Sequence, residues 1–549
     1  RSICSTCVLP ADSVSATPES RAIMISDALR TDAFESAAMR EYEVCIVGAG
    51  AAGITLANEL SCRGGPVLLI EAGASTLADS DQASYLSESV GDTPHQGVNL
   101  GRARVFGGTT RLWGGQILPF TPLDFDRRPW VDGSGWPIPM SELTPYYLRA
   151  AEVEGLGSAI VEDSEVWRAL GIAEPDLGDE LETFFTRWCP QPDFAKLHAD
   201  RLIERPNLTV LLNCTAVATE LDGTAMRRLV CRRADGLEKH FTAREYVFCL
   251  GGIETVRFFL QPAVQGCPPW QGHPMLGAHF QDHIDADVGQ LTPVNHRLFH
   301  EAFDNVYLRR HKYHPKLRMS EKGQESREVL LVTGTIRVDD PMTAFKSAAK
   351  HLLATRGRDR SSAALLPRPS DVPSLGRAVY RYLRHNRAHI PRDAPMRLRV
   401  HCEQEPYGAG RVTLSESSDA FGLRRTRIHW QIADSEIRAI AEFALLARDR
   451  LRTRGLADML LHEDLGTPEF RARCSDSNHH MSGMRMSCSP AYGLVDPQLG
   501  VHGTRNVHVC SAAVFPTSSS SNPTHTILAL ALRLADRLAA RRRGGPWSV

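Results

Sequence analysis

The chain has 549 residues with 63 basic and 64 acidic side chains, a balance that gives no electrostatic case for a nucleic-acid or membrane-surface partner. Its apolar fraction of 42% suits a large globular core, and its length suits two domains or more. No run reaches the roughly 18 consecutive apolar residues of a membrane span.

Residues 1–23 lack the apolar stretch of a signal peptide and read as a flexible extension, with the folded body starting at Met24. Thirteen cysteines are scattered without a paired CxxC…CxxC, and Cys4 and Cys7 form one isolated CxxC in the tail. That pattern predicts a reduced, cytoplasmic chain with buried thiols and no metal site.

From Tyr42, "YEVCIVGAGAAGITLANEL" reads as strand, tight turn and helix. Gly48, Gly50 and Gly53 form G-x-G-x-x-G: the first permits the turn, the second lets a pyrophosphate approach the backbone, the third lets helix and strand pack. The helix N-terminus adds amide donors for that anion. "PVLLIEAG" follows as a second strand ending in Glu71, an acid spaced to hold a ribose hydroxyl. The loop Gly101–Gln116, "GRARVFGGTTRLWGGQ", is a second glycine-rich cradle, which favours FAD over NAD.

Farther on, "NLTVLLNCTAVATELDG" and "RRLVCRRADGLEKHFTAREYVFCLGG" read as strands. Residues 346–397 are strongly basic, a solvated insertion or a lid that meets a partner. Arg397–Ile432 alternates and turns like a meander, and an amphipathic helix capped by Gly455 follows. "NHHMSGMRMS" then supplies His479 and His480. "HVCSAAVFPTSSSSNPTHTILALALRLADRLAA" reads as strand, Ser/Pro turn and apolar helix. On residue type alone, the histidines form a buried pair and Asn522 caps the helix that Pro523 opens.

Taken together, "VGAGAAG", "FGGTTRLWGGQ", "VFCLGGIETVRFFL", "LGAHFQDHID", "HHMSGMRMS", "AAVFPT" and "SNPTHTILALALRLADRL" resemble the glucose-methanol-choline (GMC) family of FAD-dependent alcohol oxidoreductases. The resemblance spans most of Met24–Ala540 and looks closest to the pyranose- and sugar-oxidising branches. It implies an α/β (α+β, two-domain) fold of p-hydroxybenzoate hydroxylase-like architecture. A Rossmann-like FAD domain would take residues 24–155, 200–285 and 470–549. An antiparallel-sheet substrate domain would take 156–199 and 286–469.

The resemblance also implies roles. Alcohol oxidation needs a base for the hydroxyl proton and an acceptor for the hydride; histidine suits the first and flavin N5 the second. The family register puts the base at His480, with His479 a structural neighbour. Asn522 falls where the family has Asn or a second His, and an amide there both donates to and accepts from a substrate hydroxyl. Gly107, Gly108 and Thr109 would meet the flavin or pyrophosphate, Val217 the adenine through its backbone, and Ala512 and Ala513 the FAD. Leu112 stands where some members bond FAD covalently, so non-covalent FAD is expected. Ser482, Met484 and Ser511 replace the usual Gly, Thr and Asp. Glu403 and Gln404 are candidates for sugar hydroxyls or for ordinary sheet polarity, and His525 for the site or for packing. The expected substrate is a sugar, a glycoside or a sugar-containing metabolite such as an aminoglycoside, with O2 or another electron acceptor. The alternatives are a sterol, aryl or aliphatic alcohol, or a flavin-binding protein without turnover.

Overall fold

The computed structural model describes residues 25–91, 93–263, 265–339, 372–391 and 394–543. The expected N-terminal extension, its CxxC and most of the basic 346–397 segment lie outside the described residues. Two large sheets organise the rest. The first runs Ile25–Asp27, Leu208–Leu212, Val67–Ile70, Glu41–Val47, Glu238–Phe248, Ala225–Arg232, Thr215–Asp222, with Val507–Val509 also on Glu238–Phe248. Its first five strands and Val507–Val509 pair in parallel, and the last three form an antiparallel meander.

Strands buried on both faces must be apolar throughout, and Val44–Val47 and Val67–Ile70 are all at most 1% exposed. Gly48 leaves the first of these with φ +102°, a backbone state that a side chain resists. The helix Ala51–Ser61 then lies so close that a Cβ on Gly53 would stand 1.9 Å from the Gly48 carbonyl oxygen. The C-terminal helix Thr524–Arg543 packs on this helix and on Met140–Val153.

The second sheet is antiparallel and has nine strands among the described residues. Its path runs from Ala457–Leu461 through Ile284–Pro293, Met396–Cys402, Val332–Val338, His311–Met319 and Leu181–Trp188 to Gln116–Ile117. The helix Asp434–Thr453 covers one face, and Phe443 lies where a Cβ on Gly334 would come within 2.8 Å of its ring. Gly455 follows this helix at φ +63°, the left-handed stop read from the sequence.

The Arg397–Ile432 meander needs correcting. Met396–Cys402 belongs to the large sheet, but Arg411–Ser418 and Arg424–His429 form a hairpin that joins Glu88–Val90 in a separate three-stranded sheet. Two short strands also cross the expected domain boundaries, since Gln116–Ile117 and Ser475–Asp476 both pair into the second sheet. The eleven described cysteines are free thiols. Among the described residues no helix is long and apolar enough to cross a membrane.

Candidate active site

A cavity of about 550 Å³ runs between the sheets. At one end lie Gly48, Gly50, Ala51 and Ala52. Gly50 precedes the helix with no side-chain cap, which leaves the first amides free for an anion. A Cβ on Gly50 would meet no protein atom within 4 Å and would fill the cavity itself. Gly108 closes the cradle from above: its Cβ would lie 2.9 Å from Gly50 Cα. These features fit a pyrophosphate lying against bare backbone.

Glu71 also lines this end, buried, with its carboxylate accepting the N–H groups of Ala49 (2.9 Å) and Gly73 (2.8 Å). Thr109, Leu112 and Ala512 reach the wall. Three neighbours do not. The N–H of Gly107 is spent on the Ala49 carbonyl at 2.9 Å, so Gly107 shapes the loop without offering a donor. Ala513 is fully buried behind Ala512. The Val217 side chain packs with Val230 and Phe421 in a cluster of its own, and Thr215 and Ala216 line the cavity in its place.

At the other end the wall carries His479, His480 and Asn522. The serine run before the helix is nearly all buried and folds as a hydrogen-bonded turn. The Ser521 hydroxyl donates to the Pro119 carbonyl (3.1 Å), and the Ser518 carbonyl lies 3.1 Å from His283 Nε2. The turn delivers Asn522 to the histidines: Asn522 Nδ2 is 2.9 Å from His479 Nε2. The Asn522 side chain therefore serves His479.

The partner of Asn522 is His479, the neighbour of the histidine that the family register put forward as the base. Tautomers follow from the neighbours. The Ser518 carbonyl only accepts, so His283 carries its proton on Nε2 and a lone pair on Nδ1. His479 Nδ1, 2.9 Å away, must donate to that lone pair. His479 Nε2 is then the lone-pair nitrogen, accepting from Asn522 and facing the cavity wall. Burial, with His283 and His401 adding to it, holds His479 well below the usual histidine range, so the lone pair persists.

His480 turns the other way. Its Nε2 lies 3.8 Å from Asp282 Oδ2, and His95 Nε2 lies 3.0 Å from the same oxygen. Burial pushes His480 down to about 3. Burial opposes ionisation of Asp282, yet His95, His480 and His479 together hold its carboxyl well below the usual range. The other oxygen, Oδ1, accepts the backbone N–H of His283 (2.6 Å), of His479 (2.9 Å) and of Ser477 (3.3 Å). Asp282 thus fixes the main chain of one histidine cluster and the rings of the other.

The remaining candidates are structural. Glu403 makes a fully buried bidentate pair with Arg128 at 2.7 and 2.6 Å. Gln404 accepts from Trp430 Nε1 (2.7 Å) and from the Asp282 amide (2.9 Å), so neither is free for a sugar hydroxyl. His525 bonds Glu154 at 2.8 Å and stacks on Tyr147, away from the cavity. Sequence reasoning missed His283, whose signal was the "QDHID" block, and Asp282 beside it.

A parallel dinucleotide-type sheet, a bare glycine cradle at a helix start and a histidine–amide pair at the far end of one cavity define an FAD-dependent oxidoreductase. Residues 41–92 match the family model described as FAD binding domain, and residues 406–531 match GMC oxidoreductase. The chain thus carries a GMC oxidoreductase C-terminal match and an FAD-binding match, and its cofactor is FAD. The 6'''-hydroxyparomomycin C oxidase of Streptomyces lividus is 25% identical over 92% of this chain and 93% of its own. Paromamine 6'-oxidase of Streptomyces fradiae is 25% identical over 91% and 92%. A solved formate oxidase shares the fold at TM-score 0.54 and 18% identity, covering 92% of this chain and 99% of that one.

Proposed function

We propose that the chain oxidises a CH–OH group of a sugar-like small molecule, an aminoglycoside or related glycoside, to a carbonyl, with His479 as the base. The observation that carries this reading is the fixed Nε2 lone pair of His479 held against Asn522 in the cavity wall. FAD, held non-covalently with Leu112 at the position where a nucleophile would stand, supplies the hydride acceptor. A substrate hydroxyl entering between the two side chains donates its proton to Nε2 and takes the Asn522 N–H on its oxygen. The protonated ring keeps its Nδ1–H on His283, so the proton is taken up without rotation of the ring. The substrate class is supported by the two relatives, named as a 6'''-hydroxyparomomycin C oxidase and a paromamine 6'-oxidase and matched over 93% and 92% of their lengths.

The test is anaerobic bleaching of the bound flavin by a panel of aminoglycosides, glycosides, free sugars and aryl, aliphatic and sterol alcohols. Reduction by the first two groups is expected. Reduction by a non-sugar alcohol alone overturns the substrate class, and no reduction by any alcohol overturns the activity. Peroxide formed on admitting air would identify O2 as the acceptor.

A further inference from the structure

Three imidazoles converge beside the site: His283, His401 and His479 each bring one ring nitrogen within 4.8 Å of the others. Their outer nitrogens are already engaged. His283 Nε2 bonds the Ser518 carbonyl, His401 Nδ1 bonds Asp285, and His479 Nε2 bonds Asn522. Metal-binding histidines are held as the first two are, with the far nitrogen on a carbonyl or carboxylate. Imidazoles bound at about 2.1 Å around a tetrahedral ion set neighbouring ring centres roughly 5 Å apart. These ring centres stand 5.0, 5.0 and 5.4 Å apart, at interplanar angles of 55°, 73° and 69°.

We infer that His283 Nδ1, His401 Nε2 and His479 Nδ1 form a three-histidine site for a divalent transition ion such as Zn2+, and that filling it switches the enzyme off. His283 already holds its proton on the outer side, and His401 meets Asp285 through Nδ1, which leaves its Nε2 for the ion. Only His479 must change: its proton moves from Nδ1 to Nε2, and the Asn522 amide turns its oxygen to accept it. No net proton is released. The ring that binds the ion has then lost the Nε2 lone pair that receives the substrate proton, so one tautomer binds metal and the other does the chemistry. The inhibitory half rests on the proposed role of His479; the binding half does not.

The experiment is Zn2+ binding to the FAD-loaded enzyme, read by competition with a chromophoric chelator and needing no substrate. One tight Zn2+ per chain is expected. His401→Gln, which touches neither cavity nor flavin in this account, should weaken it at least about 100-fold, and Asp285→Asn by about 10–100-fold. X-ray absorption of the Zn2+-loaded parent should show three imidazole nitrogens, a readout that stands if a variant folds poorly. Binding unchanged by His401→Gln, or lost instead in His95→Gln, would place the ion elsewhere and overturn the site. With any alcohol that bleaches the parent, Zn2+ should stop reduction reversibly by EDTA and leave His401→Gln unaffected. Zn2+ that binds without slowing reduction overturns the switch alone. A panel in which no alcohol bleaches the flavin overturns the oxidase reading and leaves the zinc result standing.

Discussion

His479 and His480 are adjacent in sequence yet end in unlike clusters. The first joins a chain of lone pairs, Ser518 carbonyl to His283 to His479 to Asn522, in which each proton position is set by the one before. It ends in a basic nitrogen at a cavity. The second packs between Phe280 and His95 and ends on the Asp282 carboxylate. His479 Nε2 meets an amide at the cavity wall that a substrate hydroxyl can displace, whereas His480 Nε2 faces the buried Asp282 carboxylate. On the function proposed above, His479 does the chemistry and His480 belongs to the buried Asp282 cluster.

Breaking the first cluster should have the largest effect. His479→Ala is expected to slow flavin reduction by about 10²–10⁴-fold while FAD stays bound, measured by anaerobic stopped flow. Next comes the residue that serves both clusters. Asp282→Ala leaves His95 and three backbone amides without the carboxylate they face, and should cost about 3–5 kcal/mol in a denaturant melt. A melt within 1 kcal/mol of the parent would mean that the two clusters stand independently. Asn522→Asp should be smaller and confined to rate. It puts a negative charge beside His479 and the arriving hydride, slowing reduction by about 10–100-fold with little change in melting. If it reduces like the parent, Asn522 contributes only to the turn. The smallest effect is His480→Gln, which trims the second cluster and should cost about 1–2 kcal/mol of stability.

The sheet that holds the cofactor was legible because its signals are local. Apolar runs, Gly48 and Gly53 and the acid after the second strand act within a few residues of one another. The histidine register was not. A dipeptide cannot say which side chain faces the cavity when the deciding partners, His283 and Asn522, lie 196 and 43 residues from His479 in sequence. Glu403 and Gln404 read as candidates for sugar hydroxyls or as ordinary sheet polarity, because Arg128, which buries Glu403, comes 275 residues earlier. His525 was ambiguous for the same reason, its Glu154 partner lying 371 residues away. The Arg411–His429 hairpin was read as one meander with the preceding strand because alternation sets a strand's faces but not its sheet.

The most direct test places the two neighbours side by side. With one reducing alcohol at one concentration, flavin reduction would be followed anaerobically in His479→Gln and His480→Gln, both loaded with FAD. The account predicts that His480→Gln stays within about threefold of the parent while His479→Gln falls by about 100-fold or more. A His480→Gln enzyme that loses reduction beside a His479→Gln enzyme that keeps it would contradict the account.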